Sequence, residues 1–155
     1  MAFNFFIMIN QQKQSLASLA LRLVIGFGFI AHGWAKISRG TAGFEKLLAL
    51  EGVPLPHLNG MVGPYIELFG GLAMLAGAYV VIVAIPLLVS MLVALIFVQG
   101  HYGFSSVKTI GLKPDGPVFG PPGYEINLLY IAGLITLMLI GAGRFSVDAL
   151  LRKRI

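Results

Sequence analysis

The stretch Leu16–Ile37, LASLALRLVIGFGFIAHGWAKI, is long and apolar enough to cross a bilayer, yet it carries Arg22, His32 and Lys36. A charge at bilayer depth costs a few kcal/mol or more, so such residues face a bundle interior or a wet cavity. At about 100° per residue, His32 and Lys36 fall within about 80° of Arg22, with Gly26 and Gly33 close by. The opposite side is Leu, Ile, Val and Phe. Hiding three ionisable groups on one face requires partner helices. The residues differ in what each demands. Arg22 sits near the start of the span, where its long side chain can also snorkel to the headgroups. Lys36 ends the span and reads equally as an interfacial anchor or a site residue. His32 lies deeper and is the better functional candidate, although a bundle histidine can be only a satisfied hydrogen-bonder.

Composition supplies the partners. The chain has 155 residues, 57% of them hydrophobic and 11% charged, against about 25% charged in soluble domains. A soluble fold is thereby excluded. At about 20 residues per crossing the length allows four or five spans. The absence of cysteine removes thiol chemistry, disulfides, thiolate zinc sites and cysteine-ligated clusters. The net charge of +5 is not a nucleic-acid signal, because part of it is Arg152-Lys153-Arg154, which reads as an anchor on the lipid bilayer surface.

Taken in order, Met1–Asn10 is apolar but too short to span and reads as an interfacial segment ended by Gln11–Gln14. The alternative, a removed signal peptide, lacks the basic start and the small-residue cleavage site. The first span is 16–37, stopped by Ser38-Arg39-Gly40. In the loop 38–57, Phe44, Leu47 and Leu48 share one face of a short amphipathic helix. The apolar run that follows is too long for one span and divides at Gly77-Ala78-Tyr79 into spans 58–77 and 80–99, with Pro86 near the start of the latter. The loop 100–123 is rich in glycine and proline and long for a connector, as lids and disordered segments are. The fourth span is 124–142. The fold class expected is all-α: one integral membrane domain over residues 1–155, a four-helix bundle with a short amphipathic loop helix. No internal repeat stands out.

Four spans place both termini on one side. Connectivity then gathers His32, Lys36, Glu67, Gln99, His101, Tyr124 and Glu125 in the half of the bundle facing the two long loops. Glu67 needs a cation, a donor or a proton, and Lys36, His32 and, if Glu67 lies at the midplane, Arg22 are the candidates. The bland reading is an ion pair that sets helix register. For Glu125 it is capping or loop anchoring. Gly63, Gly70, Gly71 and Gly77 on the second span and Gly133 on the fourth are helix-packing candidates, and such small-residue faces also permit homo-oligomers. On the fourth span Glu125, Ala132, Thr136 and Gly143 fall within about 40° of one another and form a small, polar stripe. Histidine, carboxylate, amide and phenol at one membrane face suit a small polar ligand or a quinone headgroup, whose carbonyls accept hydrogen bonds and which takes up protons on reduction. A metal on His32, His101 and Glu67 is conceivable by residue type but has no ligand-spacing motif, and haem on the two histidines has no binding motif either.

Three segments, RLVIGFGFIAHGWAKI, YIELFGGLAMLAG and GYEINLLYIAGLITLMLIGAGRFSVDAL, occur in an order that resembles the DoxX family of small four-span membrane proteins. The last, with Glu125, Asn127, Tyr130 and the run Gly141–Asp148, is the most specific. The family often has a basic residue in the hairpin after the second span, where this chain has Gly77-Ala78-Tyr79-Val80. The resemblance implies a bacterial-type inner-membrane bundle and a membrane subunit of a redox system, since the family takes its name from a thiosulfate:quinone oxidoreductase. It implies quinone as a candidate cofactor and a redox protein as a candidate partner. The residues carried over are Arg22, His32, Gly33, Lys36, Glu67, Glu125, Arg144 and Asp148. A non-enzymatic scaffold recruiting a partner through its loops, and a small transporter or proton pathway, are the alternatives. The basic cluster after the last span favours cytoplasmic termini.

Overall fold

The computed structural model describes the backbone of residues 2–152 and the side chains of residues 10–152. Met1, at the start of the expected interfacial segment, and Lys153 and Arg154, in the expected basic anchor, lie outside the described residues. Helix α1 runs from Ala2 to Ser38 without a stop at Gln11–Gln14. The polar run does not break it because Gln and Lys are good helix formers, and Ser15 Oγ donates back to Gln11 O at 2.8 Å. Gly40, at φ 83°, turns the chain out of α1. Helix α2, Thr41–Leu50, follows within the loop 38–57 and buries Leu48. A methyl built on Gly60 would meet Glu45 Cβ at 2.8 Å, so α2 lies tightly on the next helix.

That helix, α3, spans Pro56–Ala76, and α4 begins at Val80. Between them Gly77 adopts φ 69°, a left-handed conformation that glycine enters without penalty. Helix α4, Val80–Val93, widens into a π-type turn over Ala94–Gln99 and ends in a 3-10 turn, Gly100–Tyr102. Pro86 lies in the second turn of α4, deeper than a first-turn proline, and leaves the carbonyl four residues back without its helical donor. The loop 100–123 corrects the all-α expectation. It holds an antiparallel hairpin, β1 Thr109–Lys113 paired with β2 Gly116–Phe119. Lys113-Pro114-Asp115-Gly116 supplies the turn, with Gly116 at φ 134°. Helix α5 covers Glu125–Ile140 and a short α6 covers Val147–Arg152.

Helix α1 packs along α3, α3 along α4, α4 along α5, and α5 returns to α1. The α1–α3 seam is glycine-lined. A methyl at Gly33 would sit 2.6 Å from Pro64 O and Leu68 N, and one at Gly71 would sit 2.7 Å from Gly26 O. Backbones can approach this closely only where neither helix carries a side chain. The core of Ile25, Phe29, Met74, Val80, Ala84, Leu87, Met91, Leu134, Leu137 and Ala142 fills the half away from the long loops. Polarity is reversed relative to a water-soluble protein. Ser18, Arg22, Glu67 and Asn127 are inside, whereas Val24, Phe27, Phe69, Ile82, Ile96, Leu129 and Leu139 face outward. That arrangement suits a lipid surround. Two helical stretches, Asn10–Ser38 and Val80–Tyr102, are long and apolar enough to cross a membrane.

The expected polar stripe of α5 faces the wrong way for a bundle interior. Ala132 and Thr136 are exposed, and the buried face is Asn127, Gly133, Leu134 and Leu137. Thr136 Oγ1 donates to Ala132 O at 2.8 Å. Its hydroxyl is satisfied within its own helix and needs no polar neighbour.

Candidate functional site

In the half of the molecule facing the loops the helices enclose a cavity of about 940 Å³ instead of a packed core. Its polar centre is an ion pair. Lys36 Nζ donates to both oxygens of Glu67, at 2.6 Å to Oε1 and 2.5 Å to Oε2. Glu67, in the middle of α3, is only 5% exposed. Lys36 reaches it from the last turn of α1 and lies 4.5 Å above the Phe44 ring of α2. The cation is thus held by a carboxylate on one side and an aromatic face on the other. His32, one turn deeper on α1, stacks on Tyr130 of α5 with ring centroids 6.1 Å apart. Tyr130 is in turn set edge-on against buried Phe29 at 5.3 Å. Asn127, one turn before Tyr130, and Gln99, in the π-type turn after α4, complete the polar wall. Among the described residues no donor reaches buried Gln99 Oε1.

Four expected site residues are elsewhere. Arg22, 0% exposed, lies on the far side of the core. Its Nη1 donates to Leu75 O at 3.3 Å and its Nη2 to Phe145 O at 2.5 Å. It neither snorkels nor reaches Glu67: it binds one carbonyl at the C-terminal end of α3, where a cation is electrostatically favoured, and one in the segment before α6. His101 is tied to Phe97 O at 2.7 Å and lies 3.3 Å from Glu51. Its backbone left the helix in the 3-10 turn, which swings it off the cavity wall. Tyr124 packs edge-on against Phe104. Glu125 Oε2 accepts the Ser106 N–H at 3.0 Å and so anchors the loop. The trio His32, His101 and Glu67 is not brought together, and among the described residues no group of three His, Asp or Glu could hold a metal.

The glycines also divide. Gly70 lets Leu87 of α4 approach, Gly71 meets α1, and Gly133 receives Ile25. Gly77 leaves the space that the Arg22 guanidinium occupies. Gly63 is no packing glycine: it borders the cavity, and a methyl there would meet only the Phe44 ring, at 4.0 Å.

Several cavity residues were absent from the expected site: Arg39, Asn59, Ser90, Asn127 and Tyr130. Asn127 and Tyr130 had a signal. They are spaced i, i+3, and a buried amide in an apolar helix demands a polar interior. Ser90 had none, because serine is tolerated on any helix face. Arg39 reads as a loop residue until α2 folds the loop over the cavity mouth, and Asn59 stands at the very start of the expected second span. Chemically, the site combines a neutralised carboxylate–ammonium pair with a histidine, a phenol and two amides, all inside apolar walls such as Ile66, Val89 and Ile126. It can hold a neutral ring through hydrogen bonds.

The DoxX family model matches residues 17–100, more than half of the chain. An uncharacterized membrane protein of Mycobacterium tuberculosis is 27% identical over 147 residues, covering 88% of this chain and 82% of the relative. No solved structure matches the chain. The matched region runs from Ala17 within α1 through the π-type turn after α4 and therefore contains the ion pair, His32 and Gln99.

Proposed function

The chain belongs to the DoxX family of membrane proteins, and from that premise we propose that it is a multi-pass membrane subunit of a redox system that holds a quinone headgroup in its loop-side cavity. In this reading α1, α3, α4 and α5 are the four helices of a membrane-spanning bundle forming one domain. The cavity half faces the outer leaflet of the inner membrane, and the termini lie in the cytoplasm, where Arg144 and Arg152 favour retention. A reporter fused after the last residue, active only in the cytoplasm, checks that orientation.

The observation that carries the reading is the convergence of His32, Tyr130, Asn127 and Gln99 on one apolar cavity of about 940 Å³. Ligand pockets run about 300–1,000 Å³ and combine apolar walls with a few converging polar groups. When bound, quinone supplies two-electron, two-proton redox chemistry. The protein's own contribution is binding and protonation. Tyr130 and His32 present donors to ring carbonyls, and Asn127 and Gln99 fix the ring in its plane. The Lys36–Glu67 pair neutralises itself, so the centre of the site favours an uncharged headgroup, with the Arg39 cation at the mouth.

The test is equilibrium binding of 2,3-dimethoxy-5-methyl-6-decyl-1,4-benzoquinone to the purified protein in detergent. Saturable binding weakened by His32→Ala and Glu67→Gln supports the reading. Absence of binding at saturating probe sinks it, and the loop scaffold then becomes the better account. The proton-pathway alternative is the less favoured, because Glu67 is engaged on both oxygens by Lys36.

A further inference from the structure

The cavity is not walled evenly. On the side away from the loops α3 and α4 touch, since Gly70 admits Leu87 so closely that a methyl there would lie 2.9 Å from Leu87 Cδ2. Toward the loops the two helices present Gly63 and Ile66 on α3 and Val89 and Val93 on α4, and Ile85 and Pro86 stand just before Leu87 on α4; all of them border the cavity. Ile85 and Val89 are 52% and 54% exposed. Helical phase identifies what they face. At about 100° per residue, Val89 lies about 20° from Ile82, which is on the outward face of α4. Two residues of α4 therefore belong both to the cavity wall and to the lipid-facing surface. The cavity-bordering residues Ile66, Ile85 and Val89 of these two helices are aliphatic. His32, Asn127 and Tyr130 come from α1 and α5, while Glu67 of α3 is already engaged by Lys36.

We infer that the cavity opens sideways into the bilayer between α3 and α4, and that its ligand is an amphiphile with an alkyl or isoprenoid tail that lies in this gap. A polar wall on α1 and α5 facing an aliphatic portal between α3 and α4 orders head and tail. The headgroup meets His32, Asn127 and Tyr130, and the tail leaves past Ile66, Ile85 and Val89 into lipid. The loop-side mouth beneath α2 is mixed, bordered by Arg39 and Asn59 as well as by Phe44, Leu47 and Leu48, so it is the outward residues of α4 that single out the lateral route. This deepens the quinone reading and rests on it for the headgroup, while the portal stands on helix geometry alone.

The chain has no cysteine, so single cysteines can be placed freely. Bimane is attached at Ser90→Cys on the cavity wall, at Ile82→Cys on the outward face and at Leu87→Cys in the core, and each protein is reconstituted in phosphatidylcholine with brominated acyl chains. Quenching at position 90 comparable to that at position 82, and well above that at position 87, supports the portal. Quenching at position 90 by aqueous iodide alone overturns it, because the cavity then opens only to water. Protection from both quenchers overturns it as well.

The tail is tested with the decyl benzoquinone and its tail-less parent, 2,3-dimethoxy-5-methyl-1,4-benzoquinone. Val89→Trp, which fills the gap, should weaken the decyl compound tenfold or more and leave the parent within twofold. Equal effects on both, or none, overturn the tail assignment while leaving the headgroup site in place. If neither compound binds the unaltered protein yet lipid quenching at position 90 persists, the quinone reading fails and the portal stands for another lipid.

Discussion

Lys36 and Glu67 come from different helices, 31 positions apart in sequence, and Lys36 Nζ bonds both carboxylate oxygens. No other buried acid lies at this level of the bundle among the described residues. The pair thus sets the register of α1 on α3 and cancels its own charge at the centre of the cavity.

Breaking the pair from one side should be costly. Glu67→Ala strands an ammonium in an apolar wall, and Lys36→Ala strands a carboxylate. Each should lower stability by about 3 kcal/mol. The double change Lys36→Met with Glu67→Gln should recover most of that loss, because two uncharged side chains of similar volume need no counter-charge. Denaturant-induced unfolding in mixed micelles measures all four proteins. If the double variant is as unstable as the singles, the pair is not a self-neutralising unit.

The glycines of the α1–α3 seam should be less tolerant than their neighbour Gly63. Gly33→Val places atoms against Pro64 O and Leu68 N, which are backbone and cannot swing aside. Overpacking of this kind costs about 1–3 kcal/mol. Gly63→Ala meets only the edge of Phe44 and should change stability by less than about 0.5 kcal/mol. The same unfolding assay ranks them.

Arg22 should act as a clamp on the far end. Its two carbonyl partners, Leu75 and Phe145, join α1 to the end of α3 and to the segment before α6. Asp148 continues that junction by accepting the Tyr79 and Val80 N–H groups at 2.7 and 3.1 Å, which caps α4. Arg22→Lys supplies a single ammonium in place of a fork and cannot serve both carbonyls. Limited trypsin digestion should then cut at Arg144 several-fold faster than in the unaltered protein. Asp148→Ala should cost about 1 kcal/mol, as lost N-caps do.

Tyr130→Phe isolates the phenol from the ring. The stack on His32 and the edge contact with Phe29 survive, so stability should hold. One lost hydrogen bond is worth about 0.5–1.5 kcal/mol, so the Kd for the decyl benzoquinone should rise about three- to tenfold. A drop in stability with unchanged affinity would mark Tyr130 as packing only.

Deleting Lys108–Pro117 removes most of a hairpin whose β1 is wholly exposed. Unfolding and quinone affinity should both stay unchanged. Loss of a co-purifying protein on that deletion, with the cavity variants retaining it, would instead support the scaffold reading.

The main helices, the membrane character and the need to bury polar groups were legible in the sequence because hydrophobicity is a local property. That Glu67 must find a counter-charge was legible for the same reason, but the choice among Lys36, His32 and Arg22 was not. The sequence did not show which face of α5 turns inward. Glu125, Ala132 and Thr136 have the phase of a polar stripe, yet Thr136 satisfies itself against Ala132 O and faces outward, while Asn127 and Tyr130 face the cavity. Nor did it separate Arg22 from the others on its own helix face. Arg22 and Lys36 share a phase, but 14 residues of helix put them about 21 Å apart along the axis. The sequence by itself determined the chemistry that had to be hidden. Only the tertiary structure decided where each group finds its partner, because the seam glycines, the left-handed turn at Gly77 and the unwinding after Val93 set the depth and rotation of every helix against its neighbour.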